Sequence, residues 1–167
     1  KLKKESGIMY KNYLSENLQY FFEIGLDKKD LAHVSDLNYS NIVNLENGLV
    51  NNPNILTVSK LAKALELSVE YLVNKDSRGE IIDFDFMKEK DLIDPLEFKL
   101  SQNVDSFIKA NGYSNHKAGR MFRTCATTVR RIREDKEKMA RLEICNKIAK
   151  SMKVSLDELL FEEIKFQ

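Results

Sequence analysis

The sequence predicts an all-α protein of two tandem five-helix domains, and three observations carry that expectation. Apolar residues recur at intervals of three and four through most of the chain, which places them on single helical faces. Caps and stops divide this pattern into short helices. The third observation is an internal repeat: shifted by 87 residues, Leu61-Ala-Lys-Ala-Leu-Glu-Leu-Ser-Val-Glu-Tyr-Leu72 falls on Ile148-Ala-Lys-Ser-Met-Lys-Val-Ser-Leu-Asp-Glu-Leu159, and Gly25 falls on Gly112.

Residues 1–8 lack periodicity and are expected to form a flexible, solvated arm carrying Lys1, Lys3 and Lys4. The first domain is expected over residues 9–75. From Met9 to Ile24, Leu14, Leu18, Phe21 and Phe22 form the stripe of an amphipathic helix that Gly25 ends. Residues Leu26 to Gly48 hold two short helices around a tight turn, with Leu31, Val34, Leu37, Ile42 and Leu45 facing inward. Asp36 tolerates the left-handed backbone such a turn needs, Asn38 is an N-cap for a helix starting at Tyr39, and Gly48 is its stop. Asn52-Pro53 reads as a cap and first position for a fourth helix carrying Leu56, Leu61, Ala62 and Leu65. Ser68 caps a fifth, with Val69 and Leu72 inward.

Residues 76–93 form an acidic connector containing Ile81, Ile82, Phe84, Phe86 and Met87. So many large apolar groups are expected to pack within the chain, with a homodimer interface through the connector as the alternative. The second domain is expected over residues 94–167. Asp94-Pro95-Leu96-Glu97 announces its first helix, and Leu100, Val104, Phe107 and Ile108 repeat the first stripe at a shift of 86. Ser114 caps the next helix, and Val129 and Ile132 match Ile42 and Leu45.

The chemistry lies on the helices that begin at Tyr39 and Ala126. Once Ile42 and Leu45 are buried, Tyr39, Ser40, Asn41 and Asn44 remain outside, all able to hydrogen-bond. Short polar side chains at the start of a helix that fits a major groove suit direct base readout, and Asn can grip adenine in a bidentate pair. In the second copy Thr127, Thr128, Arg130 and Arg131 hold the exposed positions, with Arg120, Arg123 and Arg133 around them. Arg reads guanine and binds phosphate.

Residues 26–48 resemble the helix-turn-helix of the lambda-repressor and Cro family, in which a Leu-Ala pair opens the first helix and Glu-Asn-Gly ends the recognition helix. Here these are Leu31-Ala32 and Glu46-Asn47-Gly48. The resemblance implies that Tyr39, Ser40 and Asn44 face bases, that Lys28 and Asn47 touch phosphates, and that Asn38 and Asn41 share the surface. The second copy departs from the pattern: Ala118-Gly119 replaces Leu-Ala, Arg123 takes the turn position, and Arg133-Glu134-Asp135 replaces Glu-Asn-Gly. Gly119 keeps a small residue where the two helices approach closely.

Composition narrows the function. The formal charge of +1 hides an uneven distribution: residues 8–78 carry 7 Lys/Arg against 9 Asp/Glu, whereas residues 96–167 carry 15 against 10. A local basic patch, not the total, governs nucleic-acid binding. No apolar run approaches the roughly 18 residues of a membrane span, and Lys1 to Ile8 lacks a signal-peptide core, so a cytoplasmic protein without a membrane partner is expected. Cys125 and Cys145 lie too far apart for a metal knuckle or an expected disulfide. Cys125 falls on the N-cap of the second recognition helix, where the dipole lowers a thiol's pKa, yet its expected role is a small buried filler; Cys145 is expected in the core. His33 and His116 are expected on outer faces. No Ser-His-Asp set, paired carboxylates or Gly-rich phosphate loop appears, so neither an enzyme nor a cofactor is expected. The expected function is a sequence-specific regulator of transcription acting on double-stranded DNA, most simply a repressor. The alternative is a protein-interaction module, an antitoxin or adaptor, in which one or both copies no longer bind DNA.

Overall fold

The computed structural model describes residues 10–134 and 140–167. The expected arm over residues 1–8, the helix start at Met9 and the Asp135 position lie outside the described residues. Among the described residues ten α-helices run in order: α1 Leu14–Glu23, α2 Lys28–Ser35, α3 Tyr39–Glu46, α4 Ile55–Leu65, α5 Val69–Asn74, α6 Leu100–Asn111, α7 Asn115–Met121, α8 Ala126–Arg133, α9 Leu142–Met152 and α10 Leu156–Phe161. Among the described residues there is no strand, only an isolated antiparallel bridge between Asn54 and Arg141.

Apolar periodicity builds both halves as expected. Leu14, Leu18 and Phe21 of α1, Leu31 and Val34 of α2, and Ile42 and Leu45 of α3 are buried together. Leu100, Val104 and Ile108 of α6 and Val129 and Ile132 of α8 do the same in the second half. The turns carry their strain where the sequence placed it. Asp36 and Arg123, equivalent under the repeat, both adopt left-handed backbone at φ 56° and 55°, and Gly48 closes α3 at φ 70°. Gly119 has no alternative, because a Cβ there would stand 2.9 Å from the Thr124 carbonyl oxygen.

Three helix starts fall later than expected: α1 begins at Leu14, with residues 10–13 non-helical and the Tyr13 N–H held by the Val73 carbonyl, and the starts of α4 and α6 are displaced by long-range partners as well. Helix α4 is capped by Asn54, whose side chain accepts from the Leu56 N–H, not by Asn52. Asn52 instead reaches the other half, where its Oδ1 accepts from the Glu143 N–H in the first turn of α9. Helix α6 begins at Leu100 and not at Pro95. The Lys99 N–H donates to the Leu160 carbonyl at 2.6 Å, just as the Tyr13 N–H donates to Val73 at 2.7 Å one repeat earlier. Phe98 stacks on Phe161 with ring centroids 5.5 Å apart. These anchors hold the preceding residues non-helical.

The same anchoring is completed in each half by a buried asparagine. Asn17 donates to the Leu72 and Lys75 carbonyls and accepts from the Ser77 N–H. Asn103 donates to the Leu159 and Glu162 carbonyls and accepts from the Ile164 N–H. Each ties its half's first helix to the chain leaving its fifth, and satisfies carbonyls that a helix end leaves open.

The connector packs on the first half. Phe84 and Met87 are buried, with Phe84 5.0 Å from Phe21 between ring centroids. A short 3-10 turn, Asp85–Glu89, lies beside α2. The Lys90 ammonium then caps the end of α4 through the Lys63 and Ala64 carbonyls and Glu66. Ile81 and Leu92 stay exposed.

The halves meet along α4 against α9 and α5 against α10. The Ile55 N–H donates to the Ala140 carbonyl and the Leu142 N–H to the Pro53 carbonyl, each at 2.9 Å. The Asp157 carboxylate accepts from the Val69 and Glu70 N–H groups and so caps α5 from the other half.

Candidate nucleic-acid interface

Each half presents one helix whose inner face is pinned in the core and whose outer face meets solvent. On α3, Ile42 and Leu45 are buried, while Tyr39, Ser40, Asn41 and Asn44 are exposed together with Asn38 and Asn47 at its ends. Asn38 takes the N-cap backbone conformation, but its side chain makes no capping bond. No Lys or Arg lies on this helix. Lys28, expected on phosphate, has its ammonium 2.7 Å from the Glu46 carboxylate and 5.1 Å from the Phe22 ring centre. The hydrogen bond that the ammonium donates to Glu46 raises the lysine's pKa. Any phosphate reaching Lys28 competes with that carboxylate.

The equivalent surface of α8 is cationic. Thr127, Arg130 and Arg131 are exposed, with Arg120 and Arg123 on the turn side. Arg130 stands 3.9 Å from Glu134, a loose pair that leaves its guanidinium accessible. Arg133 is held differently: its guanidinium binds Asp105 at 2.7 Å and Asn115 at 2.8 Å, which ties α8 to α6 and α7. That arginine shapes the interior edge of the helix.

Thr128 is half-buried, and its hydroxyl lies 3.2 Å from the Cys125 sulfur. The expectation that Cys125 is a buried filler does not hold, since the thiol is exposed at the N-cap of α8. Extended N-cap backbone points the residue away from the core formed by Val129 and Ile132. Thr128, through its side chain first and its N–H second, lowers the Cys125 pKa. Cys145 is fully buried in α9, and burial pushes its thiol up to about 12.

Beside each of these helices runs a groove, and the two grooves correspond position by position. Asn41, Asn44 and Asn54 line a groove of about 190 Å³ in the first half. Thr128, Arg131 and Arg141 take the same places in a groove of about 330 Å³ in the second. The second also gathers Arg123 and Lys147, and Asn52 reaches into it from the first half. Sequence reasoning missed Arg141, Lys147 and Asn54 as parts of these surfaces. The 87-residue shift was the signal for them, because it lays Asn54 on Arg141 beside the already matched Asn44 and Arg131.

Among the described residues, no helix is long and apolar enough to cross a membrane. No curated protein and no solved structure matches the chain. Residues 23–72 do match a family described as Helix-turn-helix, whose members are DNA-binding regulatory domains and not enzymes. The match spans α2 to α5 almost completely, including the turn at Asp36 and the exposed face of α3. Through these residues the chain carries a helix-turn-helix segment similar to the lambda-repressor type.

Proposed function

We propose that this protein is a sequence-specific regulator of transcription that lays α3 and α8 in the major groove of double-stranded DNA and acts as a repressor in the cytoplasm. The observation that carries the reading is the pair of equivalent helices with hydrogen-bonding outer faces, Tyr39, Ser40, Asn41 and Asn44 on one and Thr127, Arg130 and Arg131 on the other. Amide side chains suit adenine and guanidinium groups suit guanine or phosphate. Asn38, Asn47, Lys28 and Thr128 complete the surface. Repression follows from occupancy alone, which blocks a promoter without a further surface.

The test is selection of bound sites from a random duplex pool, followed by Asn44→Ala and Ser40→Ala. Both variants are expected to lose about 1–3 kcal/mol on the selected site and far less on random DNA. Equal loss on both would remove these residues from base readout.

A second reading, a protein-interaction module, is favoured by the exposed Leu49 and Val50 just beyond α3 and by the Lys28–Glu46 pair that neutralises the nearest cation. Salt separates the two. A protein that neutralises phosphates loses affinity steeply as salt rises, with each lost contact flattening the slope by about one unit. Arg130→Ala and Arg131→Ala with unchanged affinity and slope would assign the second half to a protein partner. A homodimer through the connector has Ile81 and Leu92 as its exposed apolar contacts.

A further inference from the structure

Two backbone bonds joining the halves form a reciprocal pair. Ile55 bonds to Ala140 and Leu142 bonds to Pro53. Adding 87 to the residues of the first half and subtracting it from those of the second turns one bond into the other. Helix α4 meets its own counterpart α9, and α5 meets α10. Contacts that exchange in this way describe an approximate two-fold rotation inside a single chain, the isologous arrangement of a symmetric dimer. Rotation about an axis leaves height along that axis unchanged, so equivalent surfaces of the two halves lie level with one another along it. The grooves beside α3 and α8 are such a pair, and the Asn54–Arg141 bridge gives one residue to the wall of each, Asn54 to the first and Arg141 to the second.

Resting on the DNA-binding reading above, we infer that one chain covers a complete two-part operator without a second copy, and that this operator is asymmetric. A dimeric helix-turn-helix protein places its two recognition helices in successive major grooves about 34 Å apart, and the identity of its chains makes the site a palindrome. Here the backbone supplies the two-fold relation while the side chains break it. The face of α3 offers Asn41 and Asn44, whose amides select adenine. The equivalent face of α8 offers Thr128 and Arg131, and Arg130 beside them, which select guanine and grip phosphate. The half-site under α3 is therefore A·T-based and the half-site under α8 contains G. Affinity from charge comes through the second half, because α3 carries no cation and the nearest, Lys28, is held by Glu46.

The experiment takes the full chain and the duplex recovered from a random pool, and combines a footprint with the mass of the complex in solution. One chain per duplex, protecting two dissimilar half-sites about one helical turn apart, is expected. Asn44→Ala is expected to relax base preference about tenfold or more in one half-site only, and Arg131→Ala in the other only. Both side chains are exposed, so neither variant disturbs the core. Two chains on a palindrome, protection of a single half-site, or both variants relaxing the same half-site would overturn the inference while leaving DNA binding intact. Retention of no duplex at all would overturn the DNA-binding reading, and the inference with it.

Discussion

Phe21 in α1 and Phe107 in α6 occupy equivalent positions, yet the ring each packs against comes from a different part of the chain. Phe21 takes its partner from the connector, with Phe84 5.0 Å away. Phe107 takes its partner from the end of α7, with Phe122 6.0 Å away, and a second from Phe166 at 5.4 Å. The residue equivalent to Phe122 is Ser35, which is buried and satisfied by the Leu31 carbonyl. The ties between first and third helices differ in the same manner. Gln19 donates to the Glu46 carbonyl in the first half, whereas Asp105 pairs with Arg133 in the second. What stays constant is the backbone anchoring by Asn17 and Asn103 and the left-handed turns at Asp36 and Arg123. The fold tolerates rewired fillings and charges provided that the polar anchors and turn geometry persist.

The largest test of that comparison exchanges the filling. Phe122→Ser is expected to cost the second half about 3–5 kcal/mol, by loss of a buried ring and an unfilled space. Amide exchange, read residue by residue, should show α6 to α10 opening first. Simultaneous opening of α1 to α5 would show instead that the halves unfold as one unit.

Removing the anchors comes next. Asn17→Ala strips three hydrogen bonds and Asn103→Ala four, and both leave buried carbonyls unpaired, for an expected loss of about 2–4 kcal/mol each in chemical denaturation. The two losses should agree within about 1 kcal/mol, and a larger gap would end the claim that the anchors are equivalent.

Smaller still is the exchange at the tight helix crossing. Gly119→Ala sets a Cβ against the Thr124 carbonyl and is expected to cost about 1–3 kcal/mol despite the better helix propensity of alanine. The reverse exchange, Ala32→Gly, should cost only about 1 kcal/mol through propensity. A stabilised Gly119→Ala variant, read as a raised Tm, would show that the crossing has room to spare.

The smallest effect is a pH dependence confined to one half. Lys109 foremost, and Arg133 with it, hold the Asp105 carboxyl below the usual carboxylate range. A depressed folded pKa adds stability that is fully present above the unfolded value near 3.9 and fades as pH falls through the folded one. Asp105→Asn is therefore expected to cost the second half about 1 kcal/mol at neutral pH and almost nothing in strong acid. Gln19 carries no charge, so Gln19→Ala should show no such convergence.

Periodicity made most of the helices legible, because Leu31, Val34, Ile42 and Leu45 declare their face within a few residues of one another. The repeat did the same for α6 to α10. Local signatures failed where distant groups claimed the local donors and acceptors. Asn52-Pro53 and Asp94-Pro95 both look like helix starts, yet Asn52 serves α9 and the Lys99 N–H is held by Leu160. Asn17 and Asn103 were invisible for a related reason: a polar residue beside an apolar stripe reads as surface until its carbonyl partners are known. The outward faces of α3 and α8 were legible from the burial of their neighbours. Arg133 and Lys28 were not, since only folding reveals the carboxylates that hold them.

The reciprocal bonds through Ile55 and Leu142 join surfaces that already share one polypeptide. Tethering sets the effective concentration of such an interface in the millimolar range, whatever the number of molecules in the cell. A regulator assembled from separate chains falls apart as a cell dilutes it, and its occupancy of DNA then drops with the square of its abundance. A reader assembled by covalent linkage has no assembly step to lose, so its dose response is graded and persists at a few copies per cell.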